Sequence, residues 1–191
     1  MMMRIITVSL LAGLSIFSQD FKVGGKVSDF TVQTLQGEST SFQKLKGKVT
    51  VVTFVSVQCP ISNDYNERMN QLYQDYSQKG VSFIFVNPNS SEPPLAVADH
   101  AKAMNFRFPV YKDANNVVAD QFDAQVTPES YVMNSTGTVV YRGYIDDSRN
   151  TSRIKNEGLR NALNEVLEGK AVTKSETKAF GCSIKRARKA S

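Results

Sequence analysis

Cys59 and Cys182 are the only two cysteines in this chain, and they are where redox chemistry would sit. Cys59 lies just past a nearly unbroken β-branched and aromatic run, Val49-Thr50-Val51-Val52-Thr53-Phe54-Val55, and is followed by Pro60. Proline suits the first helical position, because its missing N–H would have had no partner there. Cys59 therefore reads as a helix N-cap, where free N–H groups and the positive end of the helix dipole face the sulfur. Such a setting lowers a thiol pKa and favours the nucleophilic thiolate. The bland alternative is a cysteine that merely fills an apolar gap. The coincidence of strand end, proline and helix start favours a redox thiol.

The elements that must position this sulfur are legible on both sides. A run as apolar as Val49 to Val55 suits a strand buried on both faces of an α/β sheet. After Pro60, apolar and aromatic residues at Ile61, Tyr65, Met69, Leu72, Tyr73 and Tyr76 predict one helix face, with Gly80 just past its end. Val81 to Val86 is a second buried strand, so strand, helix and strand form a crossover that implies parallel pairing. Asn87 to Pro94 is a polar, proline-bearing loop of the kind found at strand ends near a site. Leu95 to Met104 reads as a helix and Phe108 to Tyr111 as a short extended piece. Asp113 to Asn116 is a turn able to cap a helix through Val117, Val118 and Phe122. Tyr131 to Met133 and Thr138 to Tyr141 flank a polar turn as a hairpin. Leu159, Ala162, Leu163, Val166 and Leu167 form a last helix face. Earlier in the chain, Phe30 to Leu35 and Ser39 to Ser41 form a small hairpin.

Length and composition bound the rest. A chain of 191 residues suits one domain with a full core plus appendages. The net charge of +5 is concentrated at the ends, on Arg4 and on Lys185, Arg186, Arg188 and Lys189. A near-neutral body with a basic tail is not a nucleic-acid-binding domain of the usual kind. Arg4 precedes an apolar run to Phe17 that ends at Ser18, the pattern of a short secretory signal. That run is too short for a membrane span, and no other segment could serve as one. The organisation expected is a signal peptide over residues 1–18, a domain over 24–169 and a basic C-terminal tail over 170–191. The expected localisation is periplasmic or extracellular, where disulfides persist.

Strand, Cys-Pro at a helix start, crossover, Thr-Pro before a hairpin and a final helix together resemble the thioredoxin fold. More narrowly, the chain resembles the redoxin branch that holds alkyl-hydroperoxide-reductase and thiol-specific-antioxidant proteins, over roughly Gly24 to Gly169. Its anchors are Phe54-Val55-Ser56-Val57-Gln58-Cys59-Pro60 and Val126-Thr127-Pro128-Glu129-Ser130-Tyr131-Val132. The resemblance implies an α/β fold, a central mixed sheet flanked by helices, with an N-terminal hairpin and an extended C-terminal tail. It implies that Thr127-Pro128 is a cis-proline turn beside the sulfur, which with Pro60 would dock the substrate. Departures are informative. Thioredoxins carry a second cysteine where this chain has Ser62, which can only hydrogen-bond the thiolate or orient a substrate. The tryptophan usual before the cysteine is absent. Ser56 fits the hydroxyl position of peroxiredoxins three residues before the cysteine, but Val52 replaces their proline.

Three functions follow as expectations. In the first, an oxidoreductase exchanges thiols and disulfides: Cys59 attacks a protein disulfide and Cys182, in a glycine-bearing tail, resolves the mixed disulfide. In the second, Cys59 attacks a hydroperoxide and the sulfenic acid condenses with Cys182, with Arg142 as a weak candidate for charge stabilisation. In the third, the two cysteines and His100 deliver copper. The first is favoured. It implies no cofactor, no resident metal, a protein disulfide or hydroperoxide as substrate, an unknown thiol reductant, and no nucleic-acid partner.

Overall fold

The computed structural model describes residues 21–188. The segment read as an export signal lies outside the described residues. In chain order the elements are β1 (Thr31–Gln33), β2 (Ser39–Ser41), α1 (Phe42–Leu45), β3 (Val49–Phe54), α2 (Pro60–Asn63), α3 (Asn66–Ser77), β4 (Val81–Asn87) and α4 (Pro94–Ala103). They continue with β5 (Val110–Lys112), α5 (Val117–Gln121), β6 (Val126–Thr127), β7 (Glu129–Met133), β8 (Val139–Gly143), α6 (Gly158–Leu167) and β9 (Cys182–Ser183).

Seven strands form one mixed sheet in the order β2-β1-β5-β4-β3-β7-β8. β3 runs parallel to β4 and antiparallel to β7, and β4 runs parallel to β5. The strand that leads to Cys59 is thus central and buried at every position. Its side chains alternate between faces, as a pleated strand requires. Val49 and Val51, with Phe83 and Phe85 of β4, pack with Met69, Leu72 and Tyr76 of α3 and with Leu159 and Leu163 of α6. Val52 and Phe54, with Ile84 and Val86, belong to the other cluster, with Phe30, Phe42, Val118 and Phe122. Helices on both faces explain why β3 and β4 read as continuous apolar runs.

One expectation is corrected. The single helix expected after Pro60 is two, α2 and α3, parted at Asp64 and Tyr65. Tyr65 N–H donates to Ser62 O, three residues back, and its ring is buried with the hydroxyl 3.1 Å from Asp146 Oδ1. Apolar spacing does not register a shortened hydrogen bond, so the break left no trace in the pattern. The C-terminal tail is extended, as expected, and it is held against the domain. Arg142 N–H donates to Ser175 O and Thr177 N–H to Arg142 O, and Ile184 is buried in the second cluster. The turn after β5 caps α5 as anticipated: Asp113 Oδ1 and Oδ2 accept from Val118 and Ala119 N–H at 3.0 and 2.8 Å.

Candidate active site

Cys59 is the N-cap of α2, with extended backbone and Pro60 next in line. Ser62 N–H points at its sulfur, 3.2 Å from Sγ. The carbonyl oxygen of Thr127 lies 3.3 Å from the same atom. Cys59 is joined to Cys182 in a disulfide, with Cα atoms 5.8 Å apart and a sequence separation of 123. The tail delivers Cys182 through β9, which pairs antiparallel with β6 as a separate two-stranded sheet: Cys182 faces Thr127 and Ser183 faces Val126. The Thr127–Pro128 bond is cis. The predicted residues Cys59, Pro60, Ser62, Thr127, Pro128 and Cys182 therefore meet at one place.

Ser56 and Ser62 hold the loop rather than touch the sulfur with their hydroxyls. Ser62 Oγ accepts from Ser56 N–H at 3.2 Å. Ser56 Oγ accepts from Cys59 N–H at 3.1 Å and donates to Glu92 Oε1 at 2.6 Å. With its proton on Glu92, Ser56 is not free to donate toward Sγ.

Glu92 is the residue that sequence reasoning missed. It is 1% exposed, on the loop after β4. Its Oε2 accepts from Val57 N–H at 3.0 Å and its Oε1 from Gln58 N–H at 3.1 Å. Asn87 and Asn89 Nδ2 complete the shell. Burial pushes its carboxyl up, but the bonds donated by Ser56, Asn87, Val57 and Asn89 outweigh it and hold the group below the ordinary glutamate value. Lys112, at the end of β5, is nearly buried and donates from Nζ to Asn87 Oδ1, Glu92 O and Asn89 O at 2.6, 2.8 and 2.9 Å. Burial lowers its pKa, and the charges of Glu92 and Asp113 oppose that. A signal for this network was present. β3, β4 and β5 run parallel, so their C-terminal ends share one edge of the sheet, where such folds build sites.

Arg142 is engaged elsewhere: its Nε donates to Glu129 Oε1 at 2.9 Å and its Nη2 to Asp123 O at 2.7 Å. His100 lies 3.4 Å from Asn66 Nδ2, its pKa lowered by burial against the pull of Glu92. Among the described residues no cluster of three or more His, Cys, Asp or Glu side chains is arranged to hold a metal.

Residues 23–142 match the model of the AhpC/TSA family. The chain belongs to the AhpC/TSA family. As a member it is an oxidoreductase with a thioredoxin-like fold. It is 28% identical over 139 residues to the thiol-disulfide oxidoreductase ResA of Halalkalibacterium halodurans, covering 70% of this chain and 78% of that one. The crystal structure of an uncharacterized conserved protein from Geobacillus kaustophilus superposes with a TM-score of 0.82 at 31% identity, over 89% of this chain and 95% of the other. Peroxidoxin BcpB of Mycobacterium tuberculosis, at 20% identity over 78% of this chain and 97% of its own, shares the fold alone with a TM-score of 0.62. No helix among the described residues is long and apolar enough to cross a membrane.

Proposed function

We propose that this AhpC/TSA member is an exported thiol–disulfide oxidoreductase that cycles between a Cys59/Cys182 dithiol and the disulfide described above. The carrying observation is the disulfide between an N-capping cysteine and a cysteine on the docked tail. In the reduced state the Cys59 thiolate accepts from Ser62 N–H and faces the positive end of α2. It attacks a sulfur of the partner's disulfide, and the partner's other sulfur leaves as a thiolate. Cys182 then attacks Cys59 Sγ, and the partner leaves reduced by two electrons. In the return half, an external thiol meets Cys182 first, because Cys59 is 2% exposed and Cys182 is only partly buried. Cys59 is then the leaving group, and its N-cap stabilises the departing thiolate.

The hydroperoxide reading has less support, because the Ser56 proton is held by Glu92 and Arg142 by Glu129. The ResA-type relatives support thiol–disulfide exchange, and the apolar leader expected over residues 1–18 supports its taking place outside the cytoplasm. Insulin reduction with dithiothreitol as donor tests the reading: wild type accelerates it, Cys59→Ser does not, and neither consumes hydrogen peroxide with a thiol donor. Peroxide consumption that depends on Cys59, without insulin reduction, overturns it.

A further inference from the structure

The tail reaches the disulfide as a strand. Besides the Thr127–Cys182 and Val126–Ser183 pairs, Ile184 N–H donates to Gln125 O at 3.1 Å. Among the described residues β6 has no other strand partner. The backbone edge beside Cys59 is therefore filled by this chain's own residues 182–184. The fit is closest at Gly181, where a Cβ would overlap the Thr127 carbonyl group and crowd Pro128 N. Gly181 is not among the positive-φ glycines, so the site demands its lack of a side chain and not its conformational freedom. The flanking residues are graded. Phe180 sets its ring edge-on to Tyr65 at 6.3 Å, Ser183 is exposed, and Ile184 is buried. Thr127 Oγ1, at the same edge, is buried with no hydrogen-bond partner among the described residues, so the tail leaves one polar group there unanswered.

We infer that the tail is an internal stand-in for the substrate strand. The partner is an extended polypeptide segment with glycine directly before its reactive cysteine and an aliphatic residue two positions after it. It docks on residues 125–127 once reduction frees the tail. This rests on the exchange reading and adds the partner's local sequence to it. A bond forms between Cys59 Sγ and the partner's cysteine, the partner's S–S bond breaks, and its second sulfur leaves with the electron pair as a thiolate. When Cys182 attacks Cys59 Sγ, the first partner cysteine leaves as a thiolate, so the partner gains two electrons and the chain loses two. Both strands need the same edge, so re-docking of the tail also expels the reduced partner.

The test uses the full chain carrying Cys182→Ser, in which Cys59 is the sole thiol. The probes are a peptide with the tail's residues 179–185, its cysteine carried as a mixed disulfide with thionitrobenzoate, and the same peptide with alanine in place of the glycine. Release of the coloured thiolate is followed for each. The glycine peptide is expected to react roughly tenfold faster or more, since one added methyl overpacks this close contact. Adding Gly181→Ala to the protein loosens its own tail and is expected to speed the glycine peptide further. Equal rates for the two peptides with the single variant overturn the inference. A Cys59 that is inert to dithiobis(nitrobenzoate) as well would instead bring down the exchange reading beneath it.

Discussion

The two halves of this site are held by opposite means. Cys59 stands on a loop whose polar groups close on a buried carboxylate, itself backed by a nearly buried ammonium. Cys182 stands on a tail held by backbone pairing, one buried isoleucine and polar contacts that are part-buried or exposed, one of them to Asn89 of the Glu92 shell. Lys185 N–H donates to Asn89 Oδ1 at 2.7 Å, Ala187 N–H to Asn116 Oδ1, and Arg186 pairs with the half-exposed Asp120. Charges withdrawn from water need every partner in place, whereas a strand on an edge can leave and return. The comparison teaches a division of labour that the proposed exchange would use: one cysteine sits on a loop fixed by a buried polar network, and the other on a docked strand that can give way.

Perturbing the two halves should therefore give different kinds of damage. The largest expected effect is Cys59→Ser, which takes disulfide reduction to the uncatalysed rate in an insulin turbidity assay. Next is Glu92→Ala. It strips the acceptor from Ser56, Val57, Gln58, Asn87 and Asn89 and removes one of the two carboxylates whose charge favours the Lys112 ammonium. Leaving several buried donors unanswered at once costs about 3 kcal/mol or more, to be read from urea unfolding of the oxidised protein. The acid dependence has a definite sign. Glu92 is held below its ordinary value, so its contribution is complete above the unfolded carboxyl pKa of about 4.3 and drains as pH falls through the lower folded value. Glu92→Gln should flatten that part of the stability–pH curve; an unchanged acid limb would detach Glu92 from the stability of the loop.

On the tail, Ile184→Ala is expected to leave global unfolding nearly intact while weakening the dock. Losing a buried aliphatic anchor worth about 1.5–3 kcal/mol should shift the Cys59–Cys182 equilibrium against glutathione toward the dithiol by about tenfold or more. If unfolding and redox equilibrium move together, the tail is part of the core and the comparison fails. The smallest effect is Arg186→Ala, which removes a half-exposed ion pair and one hydrogen bond to the Ala124 carbonyl and should change either quantity by about 1 kcal/mol.

The legible parts of the molecule were those that repeat a local rule. Val49 to Val55 announced a central strand because both faces of β3 are covered, and Cys59-Pro60 announced a helix start because proline tolerates that position and few others. Asp113 was readable as a cap for the same local reason. Glu92, Asn87, Asn89 and Lys112 obey no such rule, since two loop residues and two strand-end residues acquire meaning only when parallel strands bring their ends together. The tail illustrates the same limit. Its sparse apolar residues described an appendage, and only the open edge at Val126–Thr127 makes it a strand. Where a long-range partner supplies the order, periodicity within the segment is silent.

The separation of the two sulfurs has a consequence for biosynthesis. With a sequence separation of 123, Cys59 is made long before its mate. Until Cys182 emerges from the ribosome or translocon, the growing polypeptide carries an unaccompanied sulfur that can couple to whatever thiol or disulfide it meets. Mixed adducts on Cys59 should therefore mark unfinished chains, and the arrival of the tail should clear them.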